Sequence, residues 1–585
     1  MTDPAPGSVE ETGPPPWATA LFVLGVGFLL FAAGNGRPGL LEQDEPRYAV
    51  TARTMARGGD WLVPQFNGRE RLVKPPLTYW AIAASFRITG REDEGAARLP
   101  SAAAGALAAL LVAFAAWRVW GRRWGVLGGL ALASMPLHFG VARLATTDML
   151  FTLFFTGAAA ALLPALEGSP RSGRWILLSG LLAGLAALVK TPLAIVLPPA
   201  AAAGAAYLLA RRPPHGPAQQ AAPHPGLLAP GNRGRTLLAL GGAFALFAAV
   251  FLAWFVAADR ATEGRLEEEL RRQVLMRTDP DSDTHPAPFW YYLAVLPAAA
   301  LPWTLLLPAG VAACLRTVRR REPGAATAAF ALALPAVVLA FFSALPSKLP
   351  AYVLPALPPL ALVAAAGARS MVERPGSRAG ALGRLAAGWG GLVLGAAAAA
   401  VPWVPALRDR VGDAALRDGL PIFAVSGGLL AAGGMLLIAR RPRPGFAAFL
   451  AVTIALTLTA GPVLPRLEEE KCARGLVEAM RREGLGPQDR IYNAGNSLKG
   501  VPWYADRATE TKPDGSSPTE AAVADALASR ERVWAIAEHD PADKHAEGKR
   551  TQWDRILLRL PAGTPVPRVV FRGMGRIVVT NAPPR

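Results

Sequence analysis

The sequence predicts an α-helical polytopic membrane protein that ends in a small soluble α/β domain. Hydrophobic residues make up 52% of the 585-residue chain and charged residues only 18%, with a mean hydropathy of +0.28. A soluble chain would carry about 25% charge. The apolar residues fall in blocks long enough to cross a bilayer, which takes about 20 residues per helix. After Pro465 the composition turns polar and the blocks stop.

Residues 1–16 are rich in Pro and Gly, contain acids, and read as a disordered leader. No basic n-region or small-residue cleavage site accompanies the first block, Trp17–Ala33, which therefore reads as a retained helix rather than a signal peptide. Further blocks run Ala97–Trp117, Trp124–Phe139, Met149–Leu166, Trp175–Val189, Pro192–Ala210 and Leu237–Ala258. The rest are Trp290–Leu315, Ala325–Ala344, Leu349–Ala368, Leu385–Val404, Pro421–Ile438 and Phe446–Leu464. Together they predict about 13 spans over residues 17–464.

The connecting loops alternate in chemistry. One set is arginine-rich: Arg118, Arg122 and Arg123; Arg171 and Arg174; Arg211 to Arg235; Arg316 to Arg321; Arg369 to Arg384; Arg440 to Arg443. Only Glu167, Glu322 and Glu373 dilute it. The other set has mixed charge. The positive-inside rule makes the arginine set cytoplasmic and turns the loop 34–96, the loop Asp279–His285 and residues 465–585 outward. Much of the net charge of +18 is thus topological, and no recognised nucleic-acid motif accompanies it. Cys314 and Cys472 lie in unlike surroundings, form no CxxC spacing and are not expected to pair.

The loop 34–96 carries the densest chemistry. Asp44-Glu45-Pro46 fits a helix start, which Gly58-Gly59 would end. Lys74-Pro75-Pro76 opens a second short helix with an apolar face, expected to lie along the surface. Residues 211–235 read as a Pro-rich linker. In the tail, a helix at Glu468–Glu483, strands at Arg490–Asn493, Arg532–Ile536, Arg568–Phe571 and Arg576–Thr580, and a helix near Pro518–Arg530 make the α/β domain 465–585. The loop Asn496–Tyr504 faces two readings, substrate contact or structure.

Each candidate has a plain reading beside a functional one. Asp44 and Glu45 suit a helix cap, yet capping needs only one of them, and a carboxylate here suits general-base work on an acceptor hydroxyl. Asp148 also suits a cap, at the start of an apolar helix. Lys74 suits an interfacial lysine or a phosphate-binding cation. Lys190, between two spans, is a functional candidate by position. Arg271 and Arg272 suit phosphate recognition, and His285 without an evident carboxylate ligand supports a divalent metal only weakly. Lys348 and Tyr352 lie in Ser347-Lys348-Leu349-Pro350-Ala351-Tyr352, between two spans.

The order Asp44-Glu45-Pro46-Arg47-Tyr48, then Gly59-Asp60-Trp61-Leu62-Val63-Pro64, then Lys74-Pro75-Pro76-Leu77-Thr78-Tyr79-Trp80, resembles the first outer loop of the polyprenol-phosphate-sugar-dependent membrane glycosyltransferases. These include the lipid A aminoarabinose transferases and the protein O-mannosyltransferases. Pro288-Phe289-Trp290-Tyr291-Tyr292 and the segment from Ser347 to Pro355 continue the resemblance, which thins beyond about Ala365. The resemblance implies a GT-C fold, a polyprenyl-phosphate sugar donor and Asp44 as base, with Glu45 and Asp148 as further acidic positions. It implies donor and acceptor contacts from Arg47, Tyr48, Lys74, Lys190, Arg271, Arg272, His285, Lys348 and Tyr352. The family often has glutamate before the lysine of the third motif; Val73 stands there instead, so no metal site is carried over.

The expected activity is transfer of the sugar, with inversion, to an envelope acceptor on the outer face of a bacterial cytoplasmic membrane. The acceptor class is a lipid A-like glycolipid, a polysaccharide or a protein. A multi-pass transporter or lipid flippase is the alternative, disfavoured because the polar candidates cluster at one face and no repeated halves are evident. A non-catalytic receptor would leave the acidic and Lys-Pro-Pro motifs unexplained.

Overall fold

The computed structural model describes residues 15–42, 44–190, 192–210, 233–278, 285–403, 413–459, 471–494, 498–512, 516–538, 551–573 and 576–583. The expected leader up to residue 14, the linker 211–232, residues 279–284 of the outward loop and the span-to-tail junction 460–470 lie outside them.

The α-helical polytopic class with a small C-terminal sheet is borne out. Among the described residues nine helices are long and apolar enough to cross a bilayer, or eleven if each of two bent pairs is one span. The expected count of about 13 is not reached on that measure, because Pro16–Ala32 and Pro442–Leu456 are shorter. Two apolar runs that read as single spans are broken. Arg122–Ser134 (α5) turns by 68° into Pro136–Ala142 (α6), and Tyr291–Ala299 (α12) turns by 103° into the helix that ends at Arg320. Pro136 and Pro302 stand at these breaks, where a missing N–H cannot continue the ladder.

Helix α1 (Pro16–Ala32) opens on a proline, tolerated in a first turn. The chain then leaves the bundle through α2 (Glu45–Ala56), a two-strand hairpin and α3 (Leu77–Thr89). The hairpin pairs β1 (Gln65–Phe66) with β2 (Arg69–Glu70) through Asn67 and Gly68, at φ 55° and 77°. An Asn-Gly pair tolerates these left-handed angles, and the tight turn they make suits strand twist. Asp93 caps the next helix, α4 (Glu94–Trp120), by accepting from the Ala96 amide at 2.8 Å.

The bundle continues through α7 (Thr147–Leu166), α8 (Ser172–Val189), α9 (Leu197–Ala210), α10 (Arg233–Ala261) and α11 (Arg265–Thr278). After α12 come α13 (Leu307–Arg320), α14 (Ala325–Ala344), α15 (Leu357–Glu373), α16 (Arg378–Ala400), α17 (Asp413–Ile438) and α18 (Pro442–Thr459). Helices α13 and α15 cross closely at Gly310, where a Cβ would lie 2.0 Å from the Val363 carbonyl oxygen. Small residues at such crossings let dispersion contacts replace the hydrophobic drive that lipid does not supply.

The C-terminal sheet runs in the order β3 (Arg490–Asn493), β4 (Val533–Glu538), β6 (Arg576–Thr580), β5 (Arg568–Gly573). Strands β3 and β4 are parallel and the other pairs antiparallel. Period-two alternation gives the sheet two apolar faces. Trp534, Ile536 and Val578 pack with Leu476 and Met480 of the helix Arg474–Arg482. Val533, Ala535 and Val579 pack with Val523 of Glu520–Ala528 and with Ile556 of Gln552–Leu557.

One buried cation fixes how the segment between α1 and α4 leaves the bundle. Arg98, in the second turn of α4, spends every N–H of its guanidinium. Nε and one Nη bind the two oxygens of Glu45 at 2.8 and 2.6 Å. The remaining donors meet the carbonyls of Asn35, Pro38 and Gly39, all at 2.7 Å. Both side chains are nearly sealed from solvent, at 1% and 2% exposure. Arg98→Ala is therefore expected to strand a buried carboxylate and cost about 3–5 kcal/mol. Thermal melting of the purified protein in detergent checks this, and an unchanged midpoint would refute the bracing role.

Candidate active site

The site begins at the N-terminus of α2, where two adjacent carboxylates part company. Glu45 points inward, and each of its oxygens accepts two N–H groups. Oε1 takes Arg98 Nε and the Ala145 amide at 2.7 Å; Oε2 takes Arg98 and the Leu41 amide at 2.8 Å. All four in-plane lone-pair positions are used, so Glu45, expected among the catalytic carboxylates, has no lone pair for an acceptor proton. Asp44 points outward, 71% exposed and 3.5 Å from Arg47. Its backbone is already helical and its side chain makes no capping bond, so the plain capping reading does not describe it.

Around Asp44 stands a group of cations from two distant parts of the chain. Burial holds the Arg47 guanidinium below its ordinary pKa, and neighbouring Arg71 lowers it further. Lys499, on the loop before the short helix Val501–Ala505, is lowered by burial and then by Arg47 and Arg71. Arg71 donates from Nε to the Tyr79 hydroxyl at 3.0 Å and lies 5.9 Å from the Tyr48 ring centroid. Tyr48 stacks on Tyr79 with centroids 5.6 Å apart. Glu42 balances the group: it accepts the Lys499 and Gly500 amides at 2.8 and 2.5 Å, yet burial pushes its carboxyl up to about 7.

A second cluster joins three residues that the sequence lists far apart. Lys190 Nζ lies 2.5 Å from Asp148 Oδ1 and 5.2 Å from the centroid of the Tyr352 ring. Asp148 stands in the first turn of α7 and binds this lysine rather than capping the helix. The two clusters meet at Tyr48. Its phenol is raised by burial and by Tyr79, and it also feels both Asp44 and Asp148. The Ala145 amide that binds Glu45 ties the start of α7 to the start of α2.

Other expected residues stand apart. Lys348 is buried, with its ammonium donating to the Leu345 carbonyl and, at 3.4 Å, to that of Pro346. Its own turn thus accepts two hydrogen bonds from the cation expected to hold a lipid phosphate, and its backbone N–H donates to the His285 carbonyl at 3.1 Å. Arg271 and Arg272 pair on the α11 surface with Glu268 and Glu269 at 3.1 and 2.7 Å, one helical turn away. Such exposed pairs serve a solvated face. His285 is exposed and lends its carbonyl to the turn of Lys348, and Lys74 is half-buried in the turn before α3. No three His, Cys, Asp or Glu residues gather as a metal site among the described residues.

Sequence reading missed Glu42, Arg71 and Arg98 and left Lys499 undecided. The Asn67-Gly68 turn was the available signal for the hairpin that delivers Arg71. That hairpin docks on the C-terminal domain, where the Asn67 side chain accepts from the Thr509 amide at 2.8 Å and donates to its carbonyl at 3.0 Å. Arg53 of α2 donates to the carbonyls of Pro502 and Trp503 and lies 4.4 Å from the Trp503 ring centroid.

Comparison with known proteins places this geometry in context. Residues 73–228 match the family model described as dolichyl-phosphate-mannose-protein mannosyltransferase. The undecaprenyl phosphate-alpha-4-amino-4-deoxy-L-arabinose arabinosyl transferase of Pseudomonas paraeruginosa is 33% identical over 352 residues, which is 59% of this chain and 58% of that protein. The corresponding protein of Aeromonas salmonicida is 31% identical over 62% of this chain and 61% of its own length. The crystal structure of ArnT from Cupriavidus metallidurans bound to undecaprenyl phosphate superposes with a TM-score of 0.75 at 20% identity, covering 97% of this chain and 99% of that one. The GT-C fold and the resemblance read from the sequence are thereby borne out.

Glu42 supplies a test of the seam between loop and C-terminal domain. Its carboxyl titrates near 7 in the folded protein against an ordinary 4.5, so the folded state favours the protonated form. Stability from this group is complete below about 4.5 and is lost as pH rises through about 7. Melting temperatures measured across that range should fall more for the wild type than for Glu42→Gln, with the gap widest above pH 7. Parallel curves would show that Glu42 does not titrate there.

Proposed function

We propose that the chain is a membrane glycosyltransferase that moves a sugar from a polyprenyl-phosphate donor to an envelope acceptor, inverting the anomeric centre. The observation that carries this reading is the open carboxylate of Asp44 beside Arg47, which in turn neighbours Arg71 and Lys499. An acceptor hydroxyl needs a carboxylate within hydrogen-bond reach as its oxygen attacks. The departing polyprenyl phosphate needs positive charge that is already in place as it gains negative charge. Of the three carboxylates expected from the sequence, Glu45 is saturated and Asp148 holds Lys190, which leaves Asp44 for the proton.

Each other residue has a part in this reading. Arg47, Arg71 and Lys499 bind the donor phosphate, with Lys74 and Lys190 as further cations along the lipid's path. Tyr48 and Tyr79 form the wall that orients Arg71. Arginine-rich loops on the opposite side support an extracytoplasmic site. A site so placed takes its activated sugar from a lipid carrier already across the membrane. The similar arabinosyl transferases support an aminoarabinose-type sugar and a lipid A-like acceptor. The chain's match spans under two thirds of their length, and a glycan or protein acceptor is the coarser class.

Asp44→Asn should lower turnover by about 10²–10⁴-fold at saturating lipid-linked sugar while leaving donor affinity near wild type. Arg71→Gln and Lys499→Gln should instead raise the donor KM. Release of polyprenyl phosphate from undecaprenyl-phosphate aminoarabinose by the purified protein, with lipid A supplied as acceptor, reads both. Full turnover by Asp44→Asn would remove the base assignment, and no release by the wild type would remove transfer of that sugar.

A further inference from the structure

A second charged site lies at the other end of the bundle. A cavity of about 690 Å³ opens where α15, α16, α17 and α18 end. Arg384 of α16, Arg440 and Arg441 of the turn between α17 and α18, and Arg443 of α18 line it, and Met371 and Val372 of α15 give it an apolar wall. The turn is firmly closed: Arg440 takes a left-handed φ of 59°, and the Arg441 amide donates to the Leu436 carbonyl at 2.7 Å. Arg384 donates to the Pro375 carbonyl at 2.7 Å, so the site is partly assembled by backbone as well as side chains.

The arginines here differ from others on the same face. Glu167 is held by Arg118 at 3.1 Å, Glu322 by Arg374 at 3.0 Å, and Glu373 by both Arg123 at 2.5 Å and Arg369 at 2.7 Å. Those pairs claim the three acids of the arginine-rich loops. Among the described residues no carboxylate pairs with Arg384, Arg440, Arg441 or Arg443. Residues 211–232, assigned to the same face by the charge rule, contain no Asp or Glu that would supply one.

Four guanidinium groups around one cavity repel each other unless an anion joins them. Their planar donor forks suit phosphate oxygens. Basic pockets between membrane helices are suited to phospholipid headgroups, and an apolar wall beside the charge suits the start of the acyl chains. We propose that this pocket binds a phosphate-bearing anion, and that its source is the headgroup of an anionic phospholipid at the arginine-rich face.

The test uses the purified full chain titrated with phosphatidylglycerol and read by native mass spectrometry, with phosphatidylcholine as the neutral comparator. Phosphatidylglycerol should bind in preference. The triple change Arg440→Gln, Arg441→Gln and Arg443→Gln should weaken it about 100-fold, each cation near a membrane surface contributing roughly equally. The corresponding triple lysine variant should keep most of the affinity, which separates lost charge from lost folding. Arg118→Gln, on the same face but already paired, should change nothing. Equal binding of the two lipids, or equal phosphatidylglycerol binding by wild type and the glutamine variant, would overturn the site. Full displacement of phosphatidylglycerol by millimolar inorganic phosphate would overturn the lipid source.

Discussion

The sealed pair of Arg98 and Glu45 is the constraint on which the segment between α1 and α4 depends. A buried ion pair is weak evidence for stability by itself, because two charges leave water to form it. Here the desolvation is offset by complete hydrogen bonding, with five donors and four acceptor positions all used. The consequence is geometric. Three carbonyls of the segment after α1, the first residue of α2, the second turn of α4 and the amide of Ala145 are pinned to one another. Asp44, one residue earlier, therefore has its position fixed without spending its own carboxylate.

The C-terminal domain completes this arrangement rather than hanging from it. Arg57 bridges Asp506 at 2.7 Å and Glu92 at 2.6 Å, while Arg474 reaches Glu94 at 2.6 Å. The Tyr504 hydroxyl accepts the Leu40 amide at 2.7 Å, and the Glu42 amide donates to the Lys471 carbonyl at 2.8 Å. These contacts bring Lys499 beside Arg47 and Arg71 across more than 400 residues of sequence. A cationic group formed that way exists only when the domain is docked, so the proposed phosphate contact of Lys499 depends on the docking seam.

The fold class was legible because bilayer length and loop charge are composition-level signals that tertiary contacts do not rewrite. The breaks at Pro136 and Pro302 were not, since prolines are tolerated inside membrane helices and the apolar runs continue through them. At the site, the acidic motif was legible but its division of labour was not. Asp44 and Glu45 are adjacent at a helix start and so point in different directions, one to solvent and one to Arg98. Nothing in Ser347-Lys348-Leu349 shows that the Lys348 ammonium turns back onto its own carbonyls. Arg71 and Lys499 escaped because their meeting depends on a hairpin and a distant domain coming together.

Four carboxylates near the start of α2 show how neighbouring donors, rather than residue type, assign roles. Glu45 is saturated and becomes a brace. Asp148 is bound to one ammonium and holds Lys190 over Tyr352. Glu42 receives two amides yet is so enclosed that burial outweighs them, and its proton is retained to near neutrality. Asp44 is the most exposed of the four, with a guanidinium beside it. A base must exchange its proton with an incoming acceptor, and accessibility is the property in which Asp44 exceeds the other three. The catalytic reading therefore rests on what surrounds Asp44, and any rearrangement that opened Glu45 would have to break the brace that positions the loop.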